Sequence, residues 1–158
     1  MSNKMKRYLL VQACSARKKE VSRPIPALDL YDGYFYRIIK NSELSSNSNL
    51  VIDIRIVSAE YGLLRPDDVI ETYERKMDSQ RAVQLQPSVV NRLIQEVANH
   101  DYDEVVVNLG KVYQQAISGL PEAVSVPVRT IEGSGIGVKG HILKQFLNGD
   151  ASALRAVA

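Results

Sequence analysis

The sequence predicts an α/β protein in which a mainly parallel sheet of about four strands carries helices on both faces. Three observations point there. A short apolar run at 8–13 and β-branched runs at 50–57, 103–109 and 124–131 read as strands. Helical apolar spacing falls between them, and no repeat or linker divides the 158 residues, so one domain over 1–158 is expected.

Each element has its own warrant. Tyr8–Ala13 is a short apolar run suited to a buried strand, and the loop after it closes on Pro24 and Pro26, which keep a helix from starting early. Leu28, Leu30, Tyr31, Tyr34, Phe35, Ile38 and Ile39 then recur at helical spacing, predicting a helix over about 27–41. The Ser- and Asn-rich stretch 41–49 reads as a surface loop, and Leu50–Val57 as the second strand. Ser58–Met77, with Gly62, Pro66 and Asp67-Asp68, reads as irregular. A helix is expected after Pro87, with 79–86 a separate turn because proline breaks helices. Asp103–Leu109 is the third strand and Val112–Ile117 a short helix closed by Gly119 and Pro121. Val124–Ile131 is the fourth strand, its Pro127 arguing for an edge or a bulge. After the turn at Gly133–Gly137 comes a last helix over Val138–Leu147, and the final residues are expected to fray.

Composition narrows the function classes. Hydrophobic residues make up 45% and charged residues 24%, ordinary for a globular chain. No apolar run approaches the roughly 20 residues a membrane span requires, and the basic N-terminus lacks a signal-peptide core, so a cytoplasmic location without membrane contact is expected. The single cysteine, Cys14, excludes an internal disulfide and a multi-cysteine zinc site. With His100 and His141 far apart, neither a metal nor a cofactor is expected. Net charge is +2, but residues 1–23 hold seven basic residues against Glu20 alone. That head either attracts phosphates or is a solvated end.

In open α/β sheets ligands bind beyond the carboxyl ends of the strands. Four segments leave predicted strands there: Cys14–Lys18, Ser58–Gly62, Asn108–Lys111 and Gly133–Gly137. Gly135–Gly140 matches G-x-G-x-x-G, but the strand and acidic residue that a dinucleotide site needs downstream are missing, and no G-K-[ST] marks a P-loop. What survives is either a tight glycine turn or a phosphate cradle of Gly133, Ser134, Gly135 and Gly137 with Lys139. Gly135-Ile136-Gly137 also resembles part of a helix-hairpin-helix DNA-binding turn, without its first helix. Cys14 is a nucleophile if Arg17 and Lys18 lower its pKa, or a small buried hydrophobe. Glu60 is the best-placed carboxylate for general-base work, or a surface charge paired with Arg65. His141 is a depressed-pKa imidazole at a helix start, or a plain helix residue, and His100 a cap.

Cys14-Ser15-x-x-Lys18, Pro26-Ala27-x-x-Leu30-Tyr31 and Ser58-Ala59-x-Tyr61-Gly62-Leu63, continued by Pro66-Asp67, Ile70 and Tyr73, resemble bacterial and phage domains of unknown function related to the YaaA peroxide-stress proteins. The resemblance implies a uracil-DNA-glycosylase-like three-layer α/β sandwich. A more distant likeness is to the middle domain of archaeosine synthase, whose Cys-Ser-x-x-Lys-type lysine acts on a deazaguanine nitrile. Cys14, Ser15 and Lys18 match it, while Lys19-Glu20 replaces the Pro-Tyr that follows that lysine.

The expected function is therefore that of a nucleobase- or nucleotide-processing enzyme, its partner a free nucleotide or nucleic acid. Cys14, Ser15, Lys18 and Glu60 are the catalytic candidates. Tyr31, Ser58, Tyr61, Gly62, Asn108 and Gly110 are the substrate contacts, with Tyr31 and Tyr61 stacking on a base. Lys18 and the glycine turn are expected to share one phosphate, and Cys14, Ser58 and Gly110 to line one pocket. The alternative is a non-catalytic DNA-binding stress-response module or a phage or defence accessory protein.

Overall fold

A computed structural model describes residues 5–42 and 50–157. The loop expected at 41–49 lies, from residue 43 on, outside the described residues. Strand β1 (Lys6–Ala13) is the sheet's centre, hydrogen-bonded in parallel to β3 (Leu50–Ser58) on one side and β6 (Glu104–Asn108) on the other. Its run is apolar on both faces because both are covered. Tyr8 and Leu10 face a core built with α1 (Ala27–Leu30), α2 (Tyr34–Asn41) and α6 (Ile136–Leu147). Leu9 and Val11 face a second core with α3 (Ser79–Asn99) and the segment of α4 (Lys111–Gln114) and α5 (Leu120–Ala123). Helices thus cover both faces.

With β4 (Gly62–Leu64), β7 (Val128–Thr130) and β8 (Arg155–Ala156), the sheet has six strands in the order β4-β3-β1-β6-β7-β8, two more than the sequence predicts. The four central strands are parallel. The added strands, β4 and β8, pair antiparallel at the two edges. Residues 58–77 hold no single regular element, as expected, but they open on a tight hairpin: Gly62 takes φ +76°, which an L side chain rarely adopts, and turns the chain back along β3. Val69–Ile70 (β5) then pairs with Ile25–Pro26 (β2) in a separate two-stranded ribbon. The expected fraying of the C-terminal end gives way to β8, which pairs with β7. Pro127 precedes β7 instead of interrupting it, and its carbonyl accepts from the Val105 amide at 2.9 Å.

Two helix expectations need correction. The helix over 27–41 is broken at Tyr31, which is extended and bridged to Lys18, while the Lys19 amide donates to the Leu30 carbonyl and the Asp32 amide to the Arg17 carbonyl. Pairing with the 14–26 loop outcompetes helix continuation there. Conversely, α3 runs through Pro87 as one helix, N-capped by Asp78, which accepts from the Arg81 amide. Pro87 removes the bond to the Val83 carbonyl, but both residues are exposed and water can take its place. Pro121 opens α5 from its first turn, where its missing N–H costs nothing, instead of closing the preceding helix.

Candidate functional site

The chain leaves β1 for β3 on one side of the sheet and returns as β6 on the other, so the connections diverge beyond the carboxyl ends of β1 and β6. Such a switch point leaves a crevice. A cavity of about 590 Å³ occupies it. Its floor is a pair of side-chain amides on facing register positions: Asn108 Nδ2 donates to Gln12 Oε1 at 3.0 Å, and both residues are almost fully buried. Two primary amides carry four donors and four lone pairs between them; this bond uses one of each, and a longer bond from Gln12 Nε2 to the Ala13 carbonyl at 3.4 Å uses a second donor. The Cys14–Arg17 loop, Tyr34 and the turn Gly133–Gly135 with Lys139 form the walls.

The loop after β1 is pinned from several sides. The Cys14 amide donates to the Val57 carbonyl at 3.0 Å. Ser15 Oγ donates to the Arg17 carbonyl at 2.7 Å and accepts from the Gly33 amide at 3.2 Å. The approach to Gly33 is so close that a Cβ there would stand 2.7 Å from Ser15 Cβ. Ser15 thus holds the loop's shape. Cys14, Ser15 and Ala16 also form one wall of a second cavity, of about 470 Å³, whose other side is Tyr73–Met77 with Lys18 and Tyr113.

Tyr73 connects this cavity to a cluster of hydroxyls. Ser58 Oγ accepts from the Tyr31 hydroxyl at 3.1 Å and from the Glu60 and Tyr61 amides at 3.2 and 3.1 Å, and lies 3.0 Å from the Tyr73 hydroxyl. The Tyr31 and Tyr73 hydroxyls are 2.6 Å apart. Cys14 Sγ is 3.1 Å from the Tyr113 hydroxyl, and Tyr36 donates to the Ala13 carbonyl at 2.8 Å. Burial pushes the Tyr31, Tyr36, Tyr73 and Tyr113 phenols well above the usual value of 10.0. For Tyr31 the Ser58 hydrogen bond opposes that shift without cancelling it. These phenols are neutral O–H groups at ordinary pH and cannot serve as bases; of the four, Tyr73 and Tyr113 border the second cavity, where a hydroxyl can meet a ligand.

The residues singled out in the sequence separate into distinct places. Cys14, Ser15, Asn108, Gly110, Gly133, Ser134, Gly135 and Lys139 border the first cavity, and Lys18 borders the second. Lys18 and the glycine turn therefore do not converge on one phosphate. Gly137 borders neither. Ser58 shares the sheet edge with Cys14 but is fully buried, so it does not line a pocket with Cys14 and Gly110. Tyr31 is fully buried too and has no face to offer a base. Tyr61 is half-exposed, its hydroxyl donating to the Glu71 carbonyl and its ring set edge-on to Tyr73 at 5.6 Å. Gly62 is explained by its hairpin. Glu60 pairs with Arg75 at 3.6 Å, not with Arg65, and borders neither cavity. His141 is exposed on α6, and His100 stands 3.4 Å from Glu96. Sequence reasoning missed Gln12, Tyr34 and Tyr113. A signal for Gln12 was present: it is a polar residue in the otherwise apolar run Tyr8–Ala13 of the central strand.

Among the described residues no helix is long and apolar enough to cross a membrane. No curated protein matches the chain. Among solved structures the chain is similar to AF0587, a protein of unknown function, with a TM-score of 0.54 and 15% identity over 90% of this chain. It spans 45% of that protein's length, and the likeness is one of fold alone. The family model for DUF6884, a family of unknown function, matches residues 9–145, and the chain belongs to that family.

Proposed function

We propose that the chain is a nucleobase- or nucleotide-processing enzyme whose ligand seats its base in the cavity beyond β1 and β6. The observation that carries this reading is the buried Gln12–Asn108 amide pair on the cavity floor. Primary amides offer a donor and an acceptor side by side, the pattern a base edge complements, and a buried amide left unpaired disfavours ligands that lack it. A volume of about 590 Å³ accommodates a base with its sugar. The glycine turn lets a flat ring approach backbone along one wall. The motif resemblance to YaaA-related domains, and through them to a uracil-DNA-glycosylase-like fold, supports the same class. Chemistry on the ligand falls to Cys14, which borders both cavities beside Tyr113, while Ser15 positions its loop.

The test is calorimetric titration of the full chain with free bases, nucleosides, nucleotides and short oligonucleotides, followed by chromatography of the bound ligand for turnover. At least one should bind, Asn108→Ala should weaken it about tenfold, as losing one good hydrogen bond to a base implies, and Cys14→Ala should abolish turnover while leaving binding. Binding of none of these ligands overturns the reading. Binding without turnover leaves a non-catalytic nucleotide- or nucleic-acid-binding module.

A further inference from the structure

The second cavity differs in chemistry from the first. Lys18, Arg75 and Lys76 border it against the single carboxylate Glu74. Glu60 approaches Arg75 from outside at 3.6 Å and offsets part of its charge. The Lys18 ammonium is held in place: its Nζ lies 4.3 Å from the centre of the Tyr73 ring and donates to the Ala16 carbonyl at 3.4 Å. Tyr73 and Tyr113 add hydroxyls to the same lining. The first cavity offers Lys139 and Arg17, and Arg17 already faces Asp32 at 3.7 Å. The two cavities adjoin along Cys14, Ser15 and Ala16, a ledge of small side chains.

We infer that the second cavity receives the phosphate group of the ligand whose base occupies the first, so that a nucleotide lies across the Cys14–Ala16 ledge with its anionic end against Lys18, Arg75 and Lys76. This rests on the nucleotide reading above. It moves the phosphate away from the glycine turn, and it places Cys14 beneath the sugar, between the two ends of the ligand. Compact ammonium groups suit a phosphate as point charges, and a cavity lined mostly by one sign of charge concentrates the anion.

The experiment compares adenosine, guanosine, cytidine and uridine with their 5′-monophosphates, and adds pyrophosphate, by calorimetry on the full chain and three variants. A monophosphate should bind at least tenfold tighter than its nucleoside. Lys18→Met with Lys76→Met should erase that preference while leaving nucleoside affinity unchanged, and Lys139→Ala should leave the preference intact. Lys76→Glu, an exposed reversal that leaves Lys18 on its ring, should lower monophosphate affinity alone. Equal affinity of nucleoside and monophosphate overturns the inference, as does a preference that survives the lysine pair and vanishes with Lys139→Ala. In both cases the nucleotide reading stands. If no nucleoside or nucleotide binds, that reading fails. Pyrophosphate binding that the lysine pair abolishes then still supports an oxyanion site, and its absence overturns both.

Discussion

Ser58→Ala tests whether the hydroxyl cluster is a structural hub or a ligand contact. The serine oxygen meets two backbone amides and two phenols between 3.0 and 3.2 Å, in a residue with no exposed surface. Without it, Tyr31 and Tyr73 keep each other at 2.6 Å, but the Glu60 and Tyr61 amides lose their acceptor. An orphaned buried donor costs about 1–3 kcal/mol. Water reaches the exposed end of this turn and recovers part of the loss, so the expected cost is about 2–3 kcal/mol. At about 2–4 °C per kcal/mol for a chain of this size, the melting temperature should fall by roughly 4–12 °C. Urea unfolding followed by circular dichroism gives the free energy. Tyr73→Phe, which removes the hydroxyl of a half-buried side chain and orphans no backbone amide, should cost only about 1 kcal/mol. Ligand affinity of Ser58→Ala, measured where both proteins are folded, should be unchanged. A stability change under about 0.5 kcal/mol, the range of an ordinary surface substitution, together with a tenfold loss of affinity, would make Ser58 a ligand contact and refute the hub.

Pro87→Ala should stabilise the chain by about 1–3 kcal/mol, because it restores the amide to the Val83 carbonyl in the middle of α3 at an exposed position; an unchanged urea midpoint would show that the bond is not missed. Stability should also fall steeply above pH 10: Tyr31, Tyr36, Tyr73 and Tyr113 keep their protons when folded, the unfolded chain loses them, and each such phenol withdraws up to about 1.4 kcal/mol per pH unit. In a chain carrying Tyr34→Phe and Tyr61→Phe, which removes the two exposed phenols, phenolate absorbance should therefore appear together with unfolding, and ionisation at pH 10 in that chain while still folded by circular dichroism would contradict the burial of the rest.

The strands were legible because they obey one rule each. The central strand β1 is covered on both faces and its Tyr8–Val11 reads as an apolar run, while β3 and β6 carry a β-branched signature. The edge strands β4 and β8 were not legible, being two or three residues long and defined by a neighbour rather than by their own pattern. The break at Tyr31 was hidden for the same reason, since a bridge to Lys18 competes with a sound helical periodicity. Strand-end logic placed Cys14, Asn108 and Gly110 at one crevice, because a parallel sheet brings successive carboxyl ends together. It did not foresee that Tyr31 and Ser58 lie buried outside that crevice, since adjacency to a strand end says nothing about burial. The Tyr113 contact to Cys14 joins residues 99 apart, and the Tyr73 contact to Tyr31 joins residues 42 apart, separations that no local pattern reports.

The ledge between the two cavities is organised before any ligand arrives. Cys14 is tied to β3 through the Val57 carbonyl, Ser15 to the start of α2 through the Gly33 amide, and Arg17 and Lys19 to the break between α1 and α2 through Asp32 and Leu30. Lys40 adds a further tie, donating from α2 to the Tyr31 carbonyl at 2.7 Å, and burial lowers its pKa. Three separate elements therefore hold the segment Cys14–Lys19 with few conformations left to lose. Ordering a loop on binding costs affinity, and a loop ordered by the fold spares that cost. The division of labour follows. Buried amides and neutral phenols, fixed by the fold, set the shape of the site, while the charge lies on Lys18, Arg75 and Lys76 at its outer side. In the proposed nucleotide complex, changes to the pins should therefore weaken nucleoside and nucleotide alike, and changes to the cations should weaken the nucleotide alone.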